Sequence, residues 1–283
     1  MQINKVGVVG CGLMGSGIAQ VCAQSGYQTV VSEINDELLN RGLDMMKTQL
    51  SKAVEKGKMT KDEEGAVLGR IKGTTNVQEF SDCDLVIEVI IENMEEKKKL
   101  FATLDGICQQ NAILASNTSC LSIIEMAMAT KRPDRVIGLH FFNPVPVYEL
   151  AELVRTIASS EETVQAVKNF GESIGKKIIL AQDTPAFIVN RLLVPYLLDA
   201  IRVLESGTAS KEDIDNGIVL GLRHPMGPLT LLDFVGLDTI YFIANAMYDE
   251  VKDPRFAPPV LLKKLVTAGR YGRKRGEGFY SYK

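Results

Sequence analysis

His140 and His224 are the only imidazoles in 283 residues, and they keep different company. His140 ends the apolar run Val136-Ile137-Gly138-Leu139, so a strand carries it to the edge of a sheet. An imidazole titrates near neutral pH and can both take and return a proton. Glu152 stands in a second apolar run, Leu150-Ala151-Glu152-Leu153-Val154, after the loop from Phe141 to Val147. A carboxylate in such a run is partly buried and needs a partner. A hairpin-like return would set it beside His140, fix the ring's tautomer and stabilise the imidazolium. The plainer alternatives are a hydrogen-bonded core histidine and a glutamate that points to solvent from an edge strand. His224 lies in Arg223-His224-Pro225-Met226-Gly227-Pro228, a loop between helices, and is given no catalytic role.

A second set of residues suits phosphates and a ribose. Gly10-Cys11-Gly12-Leu13-Met14-Gly15 follows a strand directly and opens a helix. In that context G-x-G-x-x-G is a dinucleotide signature, whereas alone it marks any strand–turn–helix. Gly10 permits the tight turn, Gly12 lets the backbone approach a pyrophosphate, and Gly15 lets helix and strand pack. The N–H groups of the first turn, from Gly12 through Leu13 and Met14, bring unpaired donors and positive dipole to the phosphates. Glu33 ends the next strand, where a carboxylate binds both ribose hydroxyls and repels the 2′-phosphate of NADP. NAD is therefore favoured, with Ser32 and Asn35 leaving NADP open. With NAD as hydride acceptor, His140 becomes the group that takes the hydroxyl proton of an alcohol. Glu92 and Lys97 follow the strand ending at Ile90, at the carboxyl edge where ligands bind in open α/β sheets. They read equally as an exposed helix N-terminus with a favourable acid at its start.

These residues need a sheet to hold them. Val6 to Val9, Gln28 to Ser32, Asp84 to Ile90, Ala112 to Ala115 and Val136 to His140 read as strands, with a helix from about Met14 to Ser25. Short apolar runs separated by helical patterns argue for a mostly parallel sheet. Asn35 to about Arg70 is polar and too long for one crossover helix, so it reads as a helical hairpin projecting from the sheet. Near Asp183-Thr184-Pro185 the character changes, and Pro185 suits a first helical turn. Ala186 to Glu205, Lys211 to Leu220, Leu229 to Val235, Asp238 to Val251 and Pro259 to Ala268 all read as helices, with Ser210 as an N-cap. The expected architecture is α/β: a Rossmann-type domain over 1–184 with its hairpin, then an all-helical domain over 185–283.

Bulk properties narrow the classes. Apolar residues are 46% and charged residues 24%, as in ordinary soluble globular proteins. The formal net charge is −3 without a long basic run, which argues against nucleic acid as a partner. No apolar stretch approaches the roughly 20 residues of a membrane span, and the strand pattern beginning near Lys5 leaves no room for a targeting peptide. The five cysteines lack metal-ligand spacing and read as reduced thiols, hence a cytoplasmic location. With two histidines, an imidazole metal site is not expected.

Taken together, the sequence resembles the short-chain L-3-hydroxyacyl-CoA dehydrogenase family along essentially its whole length. The resemblance is carried by GCGLMGSGIAQ at Gly10, ASNTS at Ala115, GLHFFNPVPV at Gly138, DTPAFIVNRLL at Asp183, HPMGPLTLLDFVGLD at His224 and GEGFY at Gly276. It implies the reversible, NAD-dependent oxidation of (S)-3-hydroxybutyryl-CoA to acetoacetyl-CoA. His140 would be the general acid/base and Glu152 its orienting carboxylate. Ser119 would hydrogen-bond the substrate's 3-oxygen or the nicotinamide ribose, and Asn190 would hold the acyl carbonyl region from the second domain. Glu33, Glu92, Lys97, Asn143 and Lys274 match positions associated with NAD. Lys52 and Lys56, one helical turn apart, could attract the phosphates of coenzyme A, or simply form a solvated charged face. The apolar helices of the second domain are expected to form a homodimer. Cys120 departs from the family's second serine and suggests sensitivity to alkylation. Two rival readings are a β-hydroxyacid dehydrogenase acting on free acids, which would use a lysine base, and a non-catalytic NAD-binding relative such as a lens crystallin.

Overall fold

A computed structural model describes residues Met1 to Tyr282. The chain divides into two compact units, Met1–Thr184 and the remainder from Pro185.

In the first unit the apolar runs form one eight-stranded sheet. Its strands are β1 (Lys5–Val9), β2 (Gln28–Ser32), β3 (Ile71–Thr74), β4 (Leu85–Glu88), β5 (Ile113–Ser116), β6 (Val136–Phe141), β7 (Leu150–Arg155) and β8 (Lys177–Gln182). Their order is β3-β2-β1-β4-β5-β6-β7-β8. The first six are parallel, β7 runs antiparallel to β6, and β8 is parallel to β7. Every residue of β4, β5 and β6 is buried, which is why these runs are nearly continuous in apolar residues rather than alternating. The order reverses between β1 and β4, so the carboxyl ends of these strands flank a topological switch point.

Six helices cover the sheet: α1 (Leu13–Gln24), α2 (Asp36–Glu55), α3 (Lys61–Leu68), α4 (Met94–Ile107), α5 (Ile123–Ala127) and α6 (Glu161–Ser173). The hairpin is α2 and α3. Asn35 caps α2 by accepting from Leu38 N at 2.9 Å, and Thr60 with Glu63 forms a capping box on α3. Leu39, Gly42, Met46 and Leu50 form the buried stripe of α2. A Cβ on Gly42 would lie 2.3 Å from Cys11 Sγ, so α2 seats directly on the glycine loop.

Two strands lie in stretches that carry no clear strand signal. β3 is only four residues with Gly73 inside it, and β8 has one fully buried residue among six. Both are edge strands, where the core does not enforce an apolar pattern.

The second unit is helical: α7 (Val189–Glu205), α8 (Lys211–Gly221), α9 (Pro228–Val235), α10 (Leu237–Val251) and α11 (Val260–Thr267). Pro185 does not open a helix. Ala186 and Phe187 follow it in the left-handed region, at φ of 63° and 53°, and α7 starts only at Val189. Ser210 caps α8 by accepting from Asp213 N at 3.1 Å. The buried Asp215 caps α9 from outside, accepting from Leu229 N at 2.8 Å and Thr230 N at 3.0 Å. Asp233, 1% exposed, accepts from Phe279 N and Tyr280 N, both at 2.9 Å. A Cβ on Gly278 would lie 1.9 Å from Asp233 Oδ1, so GEGFY is the segment that docks on this carboxylate. Among the described residues no single helix is long and apolar enough to cross a membrane.

Candidate active site

The glycine loop joins β1 to α1. Gly10 has φ of 103°, and a Cβ there would strike Val89 O at 2.5 Å; one on Gly15 would strike Gly10 O at 1.8 Å. Gly12 faces open space, and no side chain caps the N-terminus of α1. Leu13 is exposed and Met14 half-buried against the core. The loop therefore offers backbone donors to an approaching anion without a Cβ in the way. Glu33 stands at the end of β2, half-buried. Its Oε1 accepts from Cys11 N at 2.8 Å and its Oε2 from Ile34 N at 3.1 Å. Each oxygen keeps a lone pair for a further donor, so these residues fit the adenosine diphosphate half of NAD.

Next along the sheet edge, β4 and β5 end in a cluster of charges. Glu92 follows β4 and is a quarter exposed. Its Oε1 accepts from the Thr118 hydroxyl, from Ser119 N at 3.0 Å and from Ser119 Oγ at 3.5 Å. The two cofactor candidates meet here: Glu92 also bonds Ser119, and Lys97 is 1% exposed. Lys97 Nζ donates to Glu88 Oε1 at 2.6 Å and to Ile90 O at 3.4 Å, with Glu92 Oε2 at 3.1 Å. The ammonium therefore joins the carboxylates of Glu88 and Glu92 at the sheet edge.

His140 is the fifth residue of β6, and the antiparallel register sets Glu152 of β7 directly opposite it. His140 Nδ1 lies 2.7 Å from Glu152 Oε2, with the two residues 6% and 0% exposed. A carboxylate only accepts, so Nδ1 carries the proton and Nε2 is the basic nitrogen. Phe142 packs its ring 4.7 Å from the imidazole. Asn117 Oδ1 accepts from Phe141 N at 2.9 Å. That bond ties the Ser119 loop to the strand end that carries His140.

The remaining candidates stand on other elements. Asn143 is exposed in the loop between β6 and β7. The buried Lys176 holds that loop, donating to Val145 O at 2.6 Å and Tyr148 O at 2.7 Å. Burial pushes its ammonium below the usual lysine range. Lys52 and Lys56 are exposed at the C-terminal end of α2. Asn190, half-buried, is in the first turn of α7 in the second unit. Lys274 also belongs to that unit, where it donates to Asp238 Oδ2 at 2.7 Å. Cys120 overturns the alkylation expectation. It is 6% exposed, and burial together with the Glu92 charge pushes its thiol up to about 12, so little thiolate forms near neutral pH.

Glu88, Asn117, Asp183 and Lys176 join the site in the structure without being candidates in the sequence. Glu88 carried the same signal as Glu152, a lone carboxylate inside the apolar run DLVIEVI. The others announce themselves only through partners distant in the chain.

Comparison with known proteins agrees along the whole length. The NAD binding domain of 3-hydroxyacyl-CoA dehydrogenase matches residues 5–184, and the C-terminal domain of the same enzymes matches residues 187–282. A 3-hydroxybutyryl-CoA dehydrogenase of Mycobacterium tuberculosis is 48% identical over 282 residues, covering 99% of each chain. The human mitochondrial hydroxyacyl-coenzyme A dehydrogenase is 43% identical over 288 residues, covering 99% of this chain and 92% of that one. The crystal structure of an (S)-3-hydroxybutyryl-CoA dehydrogenase from Ralstonia eutropha is similar with a TM-score of 0.96 at 43% identity, each chain covered at 100%. Nucleotide loop, histidine–glutamate pair and full-length similarity lead to one conclusion: this chain belongs to the 3-hydroxyacyl-CoA dehydrogenase family, and its cofactor is NAD.

Proposed function

We propose that the chain catalyses the reversible oxidation of (S)-3-hydroxybutyryl-CoA to acetoacetyl-CoA. The observation that carries this reading is the buried pair of His140 and Glu152, 2.7 Å apart at the carboxyl end of β6. Bound NAD supplies the hydride acceptor. His140 takes the substrate's hydroxyl proton at Nε2, and Glu152 stabilises the imidazolium that forms. In the reverse direction the same nitrogen returns the proton to the developing alkoxide. Ser119 hydrogen-bonds the reacting oxygen or the nicotinamide ribose, and Asn190 holds the acyl carbonyl from the helical unit. The glycine loop from Gly10 to Gly15 takes the pyrophosphate, and Glu33 takes the adenosine ribose. Glu92, Lys97, Asn143 and Lys274 are the further residues assigned to the cofactor, while Lys52 and Lys56 draw the coenzyme A phosphates.

Two assignments concern the molecule as a whole. The helical unit carries the contacts of a homodimer. Five free and buried cysteines suit a reducing compartment, in keeping with the cytoplasm.

Initial rates with C4, C6 and C10 3-ketoacyl-CoA, each with NADH and with NADPH, test the reading. The C4 substrate with NADH is expected to give the highest kcat/KM. Glu33→Ala should weaken NADH and narrow its advantage over NADPH. Better turnover with NADPH, or with free 3-keto acids, would overturn the assignment.

A further inference from the structure

The carboxyl ends of β4 and β5 converge on Glu88, whose side chain is 0% exposed. A carboxylate so deep needs its lost water replaced by hydrogen bonds. Its Oε1 accepts from Lys97 Nζ at 2.6 Å and Ile90 N at 2.7 Å, and its Oε2 accepts from Ser116 Oγ at 2.6 Å. Two chains of contacts lead from these partners to Ser119. One passes through Lys97 to Glu92 Oε2 at 3.1 Å, and from Glu92 Oε1 to Ser119 N at 3.0 Å. The other passes through Ser116 Oγ, which accepts from Thr118 N at 3.2 Å, while the Thr118 hydroxyl donates to Glu92. Buried ion pairs rarely out-stabilise the apolar packing that could replace them, but they do fix geometry. Here the geometry fixed is that of the loop bearing Ser119.

We propose that Glu88 is a positioning residue for the reaction: it locks Lys97 and Ser116 in place, and so sets Glu92 against Ser119. Lys97, itself a cofactor candidate, reaches Ser119 through Glu92. This inference rests on Ser119 working at the substrate, as read above. Losing the lock frees Glu92 and lets the loop drift, with Ser119 as its first casualty.

Glu88→Gln in the full-length protein removes the charge and keeps the shape. Three quantities are measured: kcat and KM for acetoacetyl-CoA, NADH affinity by fluorescence titration, and iodoacetamide labelling of each cysteine by mass spectrometry. Cys120 is the reporter, since it adjoins Ser119 and is buried in the parent. The expected result is a kcat lowered about 10- to 100-fold, the range for misplacing a reacting group by about 1 Å. Cys120 labels about tenfold faster or more, Cys22 in the core stays protected, and NADH affinity falls by less than kcat. Labelling of all five cysteines at once means the variant has unfolded. Glu88→Gln/Lys97→Met, which leaves no unpaired ammonium, then carries the Cys120 expectation. A parent-like kcat with Cys120 still protected, in either folded variant, overturns the proposal. A parent that does not turn over acetoacetyl-CoA defeats the functional reading instead, and the Cys120 rate still decides whether Glu88 holds the loop.

Discussion

His140 Nδ1 and Glu152 Oε2 meet at 2.7 Å, and the proposed chemistry depends on that contact. If the carboxylate orients the ring, removing either partner damages the same proton transfer. His140→Asn is expected to cut kcat about 100-fold or more, within the range of general acid–base contributions. Glu152→Gln also lowers kcat, because the amide can hold the wrong tautomer and no longer supports the imidazolium. The double variant is expected to be little worse than His140→Asn alone, since residues that act as a unit are non-additive. NADH affinity should barely move in any of the three. Fully additive losses in kcat would show that the two act independently. This pair was legible in the sequence because each residue breaks an apolar run that a strand must bury. Glu88 breaks such a run too, but no histidine stands on its strand or on either strand paired with it. Lys97 was read from its place near a strand end; its burial depends on Glu88, Ile90 and Glu92 closing round it, which only the fold brings about.

Among the elements, α5 is held by a residue far away in the chain. Its own Ser122 makes no capping bond. Asp183, just past β8, caps it instead, with Oδ1 accepting from Ile123 N at 3.0 Å and Oδ2 from Ile124 N at 2.7 Å. The carboxylate thereby ties the end of the first unit to the helix that follows Ser119 and Cys120. Asp183→Ala should lower stability by about 1 kcal/mol, as for loss of an N-cap. In a unit of this size that is a fall in melting temperature of about 2–4 °C. Asp183→Asn keeps an acceptor and should lose less. Equal melting temperatures for parent and alanine variant would show that the cap contributes nothing. The elements that were legible are β1, β2, β4, β5 and β6, where burial enforces apolar runs, and the helices α7 to α11 apart from the start of α7. β3 and β8 were not, because one face of an edge strand answers to solvent. Pro185 misled for a different reason. Its ring fits a helical first turn, but the left-handed Ala186 and Phe187 after it postpone the helix, and nothing in the side chains of Ala and Phe signals that conformation.

The whole molecule is proposed to assemble through its helical unit, and the surface of that unit supports this. Leu192, Leu220 and Val260 are 72%, 78% and 62% exposed. Phe234 and Phe242 are 55% and 45% exposed. Where such side chains adjoin on a surface, that surface prefers a partner. Burying a leucine fully contributes about 1.5–3 kcal/mol, so a few such residues can hold a dimer. A lysine at a buried position would oppose it, because the ammonium loses its water without gaining a counter-charge. Light scattering on the parent should therefore give twice the chain mass. Leu192→Lys, Leu220→Lys and Val260→Lys are tested singly, and at least one should shift the protein to monomer without unfolding it. Ile157→Lys is the control, because Ile157 is 98% exposed in the first unit and lies outside the proposed contact. Residues 1–184 alone should be monomeric. A dimer that survives all three helical-unit changes and dissociates with Ile157→Lys would move the interface to the nucleotide-binding unit. A monomeric parent would remove it altogether, and the exposed leucines would then need another explanation.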